Sequence, residues 1–165
     1  MKLVIRKSSA YLSEDRRYRY WLERWWGTGA ALVVIGLNPS TADESLDDPT
    51  IRKCIGFAQR WGYAGLIMLN LFAWRSPEPK ELRVVEDPIG SENDYFLEMI
   101  AKPCRRILCA WGKDGDIDDR DLAVLKLLQG RELVALKVSE KTGQPWHPLY
   151  VSYETKPVAY KGRAA

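Results

Sequence analysis

The stretch ALVVIGLNPSTAD, residues 31–43, decides the fold of this chain. It begins with an apolar run too short for a helix, and a continuous run of this kind is typical of a strand covered on both faces. The residues from Asn38 to Asp43 are mostly polar, and a helical pattern starts near Thr50. In open α/β folds, the loops at the carboxyl ends of strands hold the ligands. We therefore expect this loop to form part of a binding site.

The rest of the chain repeats this alternation of short apolar runs and helical patterns. Further strands are predicted at 65–71, 106–111 and 132–138, and helices at about 50–61, 92–102 and 119–129. Asp48 and Pro49 favour the start of the first helix, as N-cap and first helical residue. Alternating strands and helices predict an α/β fold, here a three-layer α/β/α sandwich with a mostly parallel four-stranded central sheet.

Length and composition indicate one domain. The chain has 165 residues, of which 46% are hydrophobic and 28% charged, and this suits a single core. We divide it into an N-terminal cap at 1–28, a core at 29–155 and a flexible basic tail at 156–165. No apolar run is long enough to span a bilayer and no secretory signal is visible, so a cytoplasmic protein without membrane contact is expected.

The net charge and the cysteine spacing exclude few further classes of function. The net charge of +3 permits contact with nucleic acid but does not require it. The three cysteines, Cys54, Cys104 and Cys109, have no CxxC spacing, so neither a disulfide framework nor a zinc site is supported. The sequence predicts no cofactor and no metal, and it leaves the oligomeric state open.

A segment rich in aromatic residues and arginines, residues 16–26, allows two interpretations. Interleaved aromatic rings and arginines can stack bases and hold phosphates, as single-strand binding surfaces do. An amphipathic segment that packs its rings on the sheet and leaves its arginines in water is the favoured interpretation.

Polar and aromatic residues follow each predicted strand, and parallel strands bring their carboxyl ends to one edge. Asn38, Asn70, Trp111 and His147 would then surround one cleft. Amide side chains pair donor and acceptor groups as nucleobase edges do, and aromatic rings stack on bases. The predicted substrate contacts are Pro39, Ser40, Thr41, Asn70, Phe72, Trp111 and Tyr150.

These residues also resemble known families. GLNPS at 36–40, LIMLN at 66–70 and HPLY at 147–150 resemble, in order and placement, the three signatures of the uracil-DNA glycosylase superfamily. From about Tyr18 to Tyr150, the chain is similar to the uncharacterised bacterial and phage domain-of-unknown-function family 1643. That pattern is matched by NPSTAD at 38–43, DPT at 48–50, NLFA at 70–73, DP at 87–88, WG at 111–112 and HPLY at 147–150.

The superfamily resemblance implies roles for single residues and a uracil-DNA glycosylase-like fold. Asn38 would orient the attacking water, Asn70 would bind the base edge, and His147 would stabilise the negative charge on the departing base. Asp43 is a further candidate for the water-orienting or basic group. The function expected on this basis is recognition of a nucleobase, nucleotide or nucleic acid, with hydrolysis of an N-glycosidic bond in DNA modification or repair.

Other interpretations stay open at this point. The cleft can belong to a non-catalytic module that binds a nucleotide or a single strand. A phosphate-handling enzyme would use the aspartates Asp43, Asp47 and Asp48 for a divalent cation, together with Arg52, Lys53 and Arg75. Helix capping already explains Asp47 and Asp48, however. Asn38 and Ser40 can serve as turn caps, and His147 can be a structural histidine.

Overall fold

The computed structural model of the chain describes residues 2–164. Within this range one sheet forms the centre of the molecule. Its strands are β1 (Lys7–Leu12), β2 (Arg19–Trp25), β3 (Ala31–Gly36), β4 (Gly65–Asn70), β5 (Arg106–Cys109), β6 (Glu132–Ala135) and β7 (Val158–Ala159). They lie side by side in the order β1-β2-β4-β3-β5-β6-β7.

The sheet differs from the predicted one. The four strands β3, β4, β5 and β6 are parallel to one another. The other pairs are antiparallel: β1 with β2, β2 with β4, and β6 with β7. The prediction of a mostly parallel four-stranded central sheet is therefore wrong, because the described chain forms a seven-stranded mixed sheet, and this sheet gives no support to the glycosylase-like fold predicted with it. The additional strands lack the continuous apolar run of a strand covered on both faces. Glu23 and Arg24 interrupt the apolar pattern of β2, and β7 has only two residues.

Helices cover both faces of this sheet. They are α1 (Pro49–Arg60), α2 (Asn93–Phe96), which continues as a π-helix at Leu97–Ala101, and α3 (Arg120–Leu127), with short 3-10 helices at Pro79–Arg83, Lys113–Asp119 and Pro148–Tyr150. Asp48 caps α1 as predicted, since its Oδ1 accepts the Ile51 N–H at 2.9 Å. None of the helices in residues 2–164 is long and apolar enough to cross a membrane.

Alternating side chains of β3 divide the core into two clusters. Leu32 and Val34 pack with the buried residues of α1, whereas Val33 and Ile35 pack with the segment after β4 and with α3. After β3 the chain forms β4 on one side of β3, and it then crosses over to form β5 on the other side of β3. A crevice at the carboxyl ends of the strands is expected where the strand order reverses in this way.

Segments near both ends of the described range contribute strands to the sheet. The predicted cap, residues 1–28, supplies β1 and β2, and the predicted flexible tail supplies β7 and the buried Tyr160. Arg163 in that tail lies 2.7 Å from the buried carboxylate of Asp121. Asp121 also accepts a hydrogen bond from Gln144, which in turn accepts one from the Trp111 indole. This chain of contacts connects the tail to the loops at the carboxyl edge of the sheet.

Candidate functional site

A cleft of about 680 Å³ opens at the carboxyl edge of the parallel strands. Its walls come from the loops that follow β3, β5 and β6, and its floor includes the end of β4. This volume falls in the range of small-molecule sites, roughly 300–1,000 Å³. The predicted site residues that line it are Asn38, Pro39, Ser40, Thr41, Asn70, Trp111, His147 and Tyr150.

Asn38 stands on the wall formed by the loop after β3, and its amide orientation is fixed. Its Nδ2 lies 3.1, 3.1 and 3.0 Å from the carbonyl oxygens of Pro39, Trp74 and Ser76. The donors of the amide are therefore used within the protein. Oδ1 accepts no hydrogen bond from residues 2–164. Asn38 consequently offers the cleft an acceptor rather than a donor.

Asn70 ends β4 at the floor of the cleft, where its side chain is only 1% exposed. Its Nδ2 is buried and has no hydrogen-bond partner among residues 2–164. A buried donor without a partner costs about 1–3 kcal/mol. Gly36, its neighbour on β3, leaves room for the amide, because a Cβ there would lie 3.0 Å from Asn70 Oδ1. Asn70 is thus a destabilising polar group that a ligand can satisfy.

Two buried side chains donate hydrogen bonds to the backbone at Asn70 and Leu71. Asn93 Nδ2 donates to the carbonyl oxygens of Asn70 and Leu71, both at 3.0 Å. Arg120 Nε donates to the Leu71 carbonyl at 2.8 Å. The unpartnered Asn70 amide therefore stands on a rigid support.

His147 is half-buried on the opposite wall, in the loop after β6. Its Nδ1 accepts the Leu149 N–H at 3.3 Å, so in the neutral ring the proton resides on Nε2. Burial lowers the pKa of His147 below its ordinary value of 6.5, and the Asp48 carboxylate opposes this shift only in part. At neutral pH the residue is an uncharged N–H donor.

The lowered pKa of His147 predicts a pH dependence of stability. Between the folded-state pKa and 6.5 the unfolded chain binds more protons at this site, so the free energy of unfolding falls as the pH drops below about 6.5. We expect H147Q to lose less stability than the wild type between about pH 7.5 and about pH 5.5. Urea unfolding at both pH values measures the difference. Equal losses in the two proteins would contradict the assignment of a half-buried, neutral His147.

Two predicted site residues lie outside the cleft. The Asp43 carboxylate accepts the backbone N–H groups of Ser45 and Leu46, which lower its pKa, and it lies 3.7 Å from Arg16. It holds a turn and does not line the cleft. Phe72 has no exposed surface and packs in the core cluster beside α3. The apolar residues that follow Asn70 thus point into the core and away from the cleft. The spacing of residues in the sequence does not show this side-chain direction.

The aromatic residues of the cleft differ in how accessible they are. Trp111 is 1% exposed, donates its indole N–H to Gln144 at 2.8 Å and packs edge-to-face on Tyr160. Tyr150 is largely exposed at the rim, and its ring centroid lies 5.8 Å from that of His147. Trp146, which the sequence analysis did not select, is half-buried and lines the cleft. Trp146 and Tyr150 are therefore the rings that a ligand can reach.

Arg19 is a second cleft residue that the sequence did not reveal. Its side chain is 1% exposed and lines the floor, with Nη1 donating to the Ala42 carbonyl at 3.0 Å. Its Nε is buried without a partner in residues 2–164. The sequence analysis placed the arginines of this segment in solvent, and nothing in the local pattern separates Arg19 from the exposed Arg17.

The aspartates near the start of α1 are engaged with other groups of the protein. Asp47 pairs with Arg24 at 2.8 Å, and Asp48 caps α1. Within residues 2–164 no group of three or more His, Cys, Asp or Glu side chains is arranged to hold a metal ion.

Comparison with known proteins identifies a family but no characterised relative. The model of the family described as "Protein of unknown function (DUF1643)" matches residues 19–149. This range begins at Arg19 and includes every loop that lines the cleft up to Leu149. No curated protein and no solved structure matches the chain. The resemblance to the uracil-DNA glycosylase superfamily gains no support from these comparisons.

Proposed function

This chain belongs to the DUF1643 family, and from the geometry of its cleft we propose that it binds a nucleobase or a nucleotide. The observation that carries the proposal is the Asn70 amide, 1% exposed at the cleft floor with an unpartnered Nδ2. A buried amide of this kind matches the edge of a nucleobase, which presents neighbouring acceptors and donors. The stability that the free protein loses at Asn70 is recovered when such an edge binds.

The remaining polar groups of the cleft complement this donor. Asn38 offers an acceptor from one wall, and neutral His147 offers an N–H donor from the other. Trp146 adds an aromatic surface on which a planar ring can stack. A planar ligand with both donors and acceptors on its rim therefore fits the cleft better than a sugar or an aliphatic acid.

The same groups support hydrolysis of the N-glycosidic bond of the bound ligand. In this reaction water adds its oxygen to the anomeric carbon, the electrons of the glycosidic bond leave with the base, and the proton that the water loses ends on the departing base. In the proposed reaction Asn38 Oδ1 accepts a hydrogen bond from that water, and His147 Nε2–H donates one to the oxygen of the departing base. The motifs that resemble the uracil-DNA glycosylase superfamily imply the same division of roles.

The test combines binding with turnover. Calorimetric titration with the common nucleosides, their 5′-monophosphates and a uracil-containing single-stranded oligonucleotide measures binding, and chromatography measures released base. We expect at least one ligand to bind the wild type, and N38A and H147A to lose base release while they keep binding. Q129A, which removes an exposed amide after α3, is the control and should match the wild type.

The outcomes separate three cases. Loss of release with retained binding in N38A and H147A supports a hydrolase. Binding by the wild type without release of base from any ligand supports the non-catalytic module and overturns the catalytic step. Absence of binding to every base-containing ligand overturns the proposed function as a whole.

A further inference from the structure

A positive charge lies at the floor of the cleft with most of its hydrogen-bonding capacity unused. Arg19 makes one side-chain hydrogen bond, to Ala42, and forms no ion pair within 4 Å in residues 2–164. Its Nε is buried without a partner. Burial lowers the pKa of Arg19 to about 10, so the guanidinium still carries its charge at neutral pH. An arginine in this state has donors available for an external acceptor.

Arg24, on the same strand, shows how this protein satisfies a buried arginine that has a structural role. It is also 1% exposed, but its Nε pairs with Asp47 at 2.8 Å. Its other nitrogens donate to four backbone carbonyls, those of Ser9, Glu23, Asp43 and Leu46. Equal burial with such unequal pairing indicates that the partner of Arg19 comes from outside the chain.

The surroundings of Arg19 favour an anion as that partner. The start of α1 lines the same cleft through Pro49, Thr50 and Ile51, and the first turn of a helix attracts negative charge. Asp48 is the carboxylate that acts most strongly on the Arg19 charge, and both of its oxygens already accept backbone N–H groups, those of Ile51 and Ala42. Arg75 adds positive charge beside Arg19. Asn70 Nδ2 supplies another unused donor on the same floor.

We infer that Arg19 binds a phosphate group of the ligand, so that the cleft takes a nucleotide rather than a free base or a nucleoside. The inference rests on the proposed function for the base-binding part of the cleft. A guanidinium fork matches phosphate oxygens with two parallel hydrogen bonds, and a helix start reinforces them. Asn70 then contacts the base, Asn38 and His147 serve its hydrolysis, and Arg19 with the start of α1 contacts the phosphate.

The experiment compares each nucleoside with its own 5′-monophosphate by calorimetry, with inorganic phosphate as a separate probe. In the wild type we expect at least one monophosphate to bind about tenfold or more tightly than its nucleoside, because a hydrogen bond to a charged group contributes a difference in affinity of this size. R19M should abolish this preference. R131M, which removes an exposed arginine beyond the end of α3 and outside the cleft, controls for the general loss of charge and should keep the preference.

A second variant covers the case in which R19M does not fold. R19K keeps the charge but loses the planar fork, so it should reduce the preference while near-ultraviolet circular dichroism reports an intact core. A short single-stranded oligonucleotide without terminal phosphates is a further probe. If its binding depends on Arg19, the phosphate belongs to a strand; if only the monophosphates depend on Arg19, it belongs to a free nucleotide.

Failure of this inference is distinguishable from failure of the proposed function. Equal binding of nucleosides and monophosphates by the wild type, or a preference that survives in R19M, overturns the phosphate site and leaves base binding intact. Arg19-dependent binding of inorganic phosphate without discrimination among bases supports the phosphate site and overturns the proposed function. Binding of none of these probes overturns both.

Discussion

Replacement of Asn70 by leucine is expected to raise the free energy of unfolding by about 1 kcal/mol and to lower nucleotide affinity by about tenfold or more. Leucine has a similar shape and removes a buried donor that has no partner in the free protein. The same change removes the group proposed to bind the base. Urea unfolding and calorimetric titration of the same preparation measure the two effects.

Asn93 is a matched control for this prediction. It is also an asparagine with 1% exposure, but its Nδ2 donates to the carbonyl oxygens of Asn70 and Leu71. N93L removes both of these hydrogen bonds, leaves the Leu71 carbonyl with the Arg120 donor alone, and should lower the free energy of unfolding by about 1–3 kcal/mol. If N70L destabilises the protein as much as N93L does, Asn70 has a structural role and the proposed function loses its main support.

The variant R24M should show the largest loss of stability, about 3–5 kcal/mol. It leaves the Asp47 carboxylate without its partner at 2.8 Å and removes the donors of four backbone carbonyls. Those bonds fix residues 43–47 to β2, ahead of the start of α1. Urea unfolding measures the loss, which is a large fraction of the roughly 5–15 kcal/mol that stabilises a typical domain.

R17M is the control for R24M. Arg17 and Asp15 are both exposed and lie 3.8 Å apart, and surface pairs of this kind contribute about 0–1 kcal/mol. The expected change in the free energy of unfolding is therefore small. Losses of similar size in R17M and R24M would show that Arg24 does not anchor the loop after β3.

The parallel strands and α1 could be predicted from the sequence because each has a strong local signal. Residues 31–36 form a continuous apolar run, and Asp48 with Pro49 marks the start of α1. Strands β1, β2 and β7 are stabilised by pairing with distant parts of the chain. Arg24 in β2, for example, is compatible with a strand only because Asp47 and distant carbonyls satisfy it. No local pattern contains that information.

The cleft residues at strand ends were predictable for the same reason, since topology alone brings them to one edge. Asn38, Asn70 and His147 all line the cleft. The direction of each side chain was not predictable. Phe72 follows Asn70 closely but turns into the core, and Arg19 turns to the cleft floor from a segment whose arginines otherwise suggest a solvated face. Burial of a charged group is decided by tertiary contacts, which sequence spacing does not encode.

The proposal that a nucleobase contacts Asn70 is tested most directly by side-chain amide NMR during titration with nucleoside 5′-monophosphates. Spectra of N70L and N93L assign the two amide signals by their absence. We predict that the Asn70 side-chain signals shift in proportion to bound nucleotide, while those of Asn93 stay nearly fixed. Saturating nucleotide that leaves the Asn70 signals unmoved, or the absence of any binding nucleotide, would contradict the proposal.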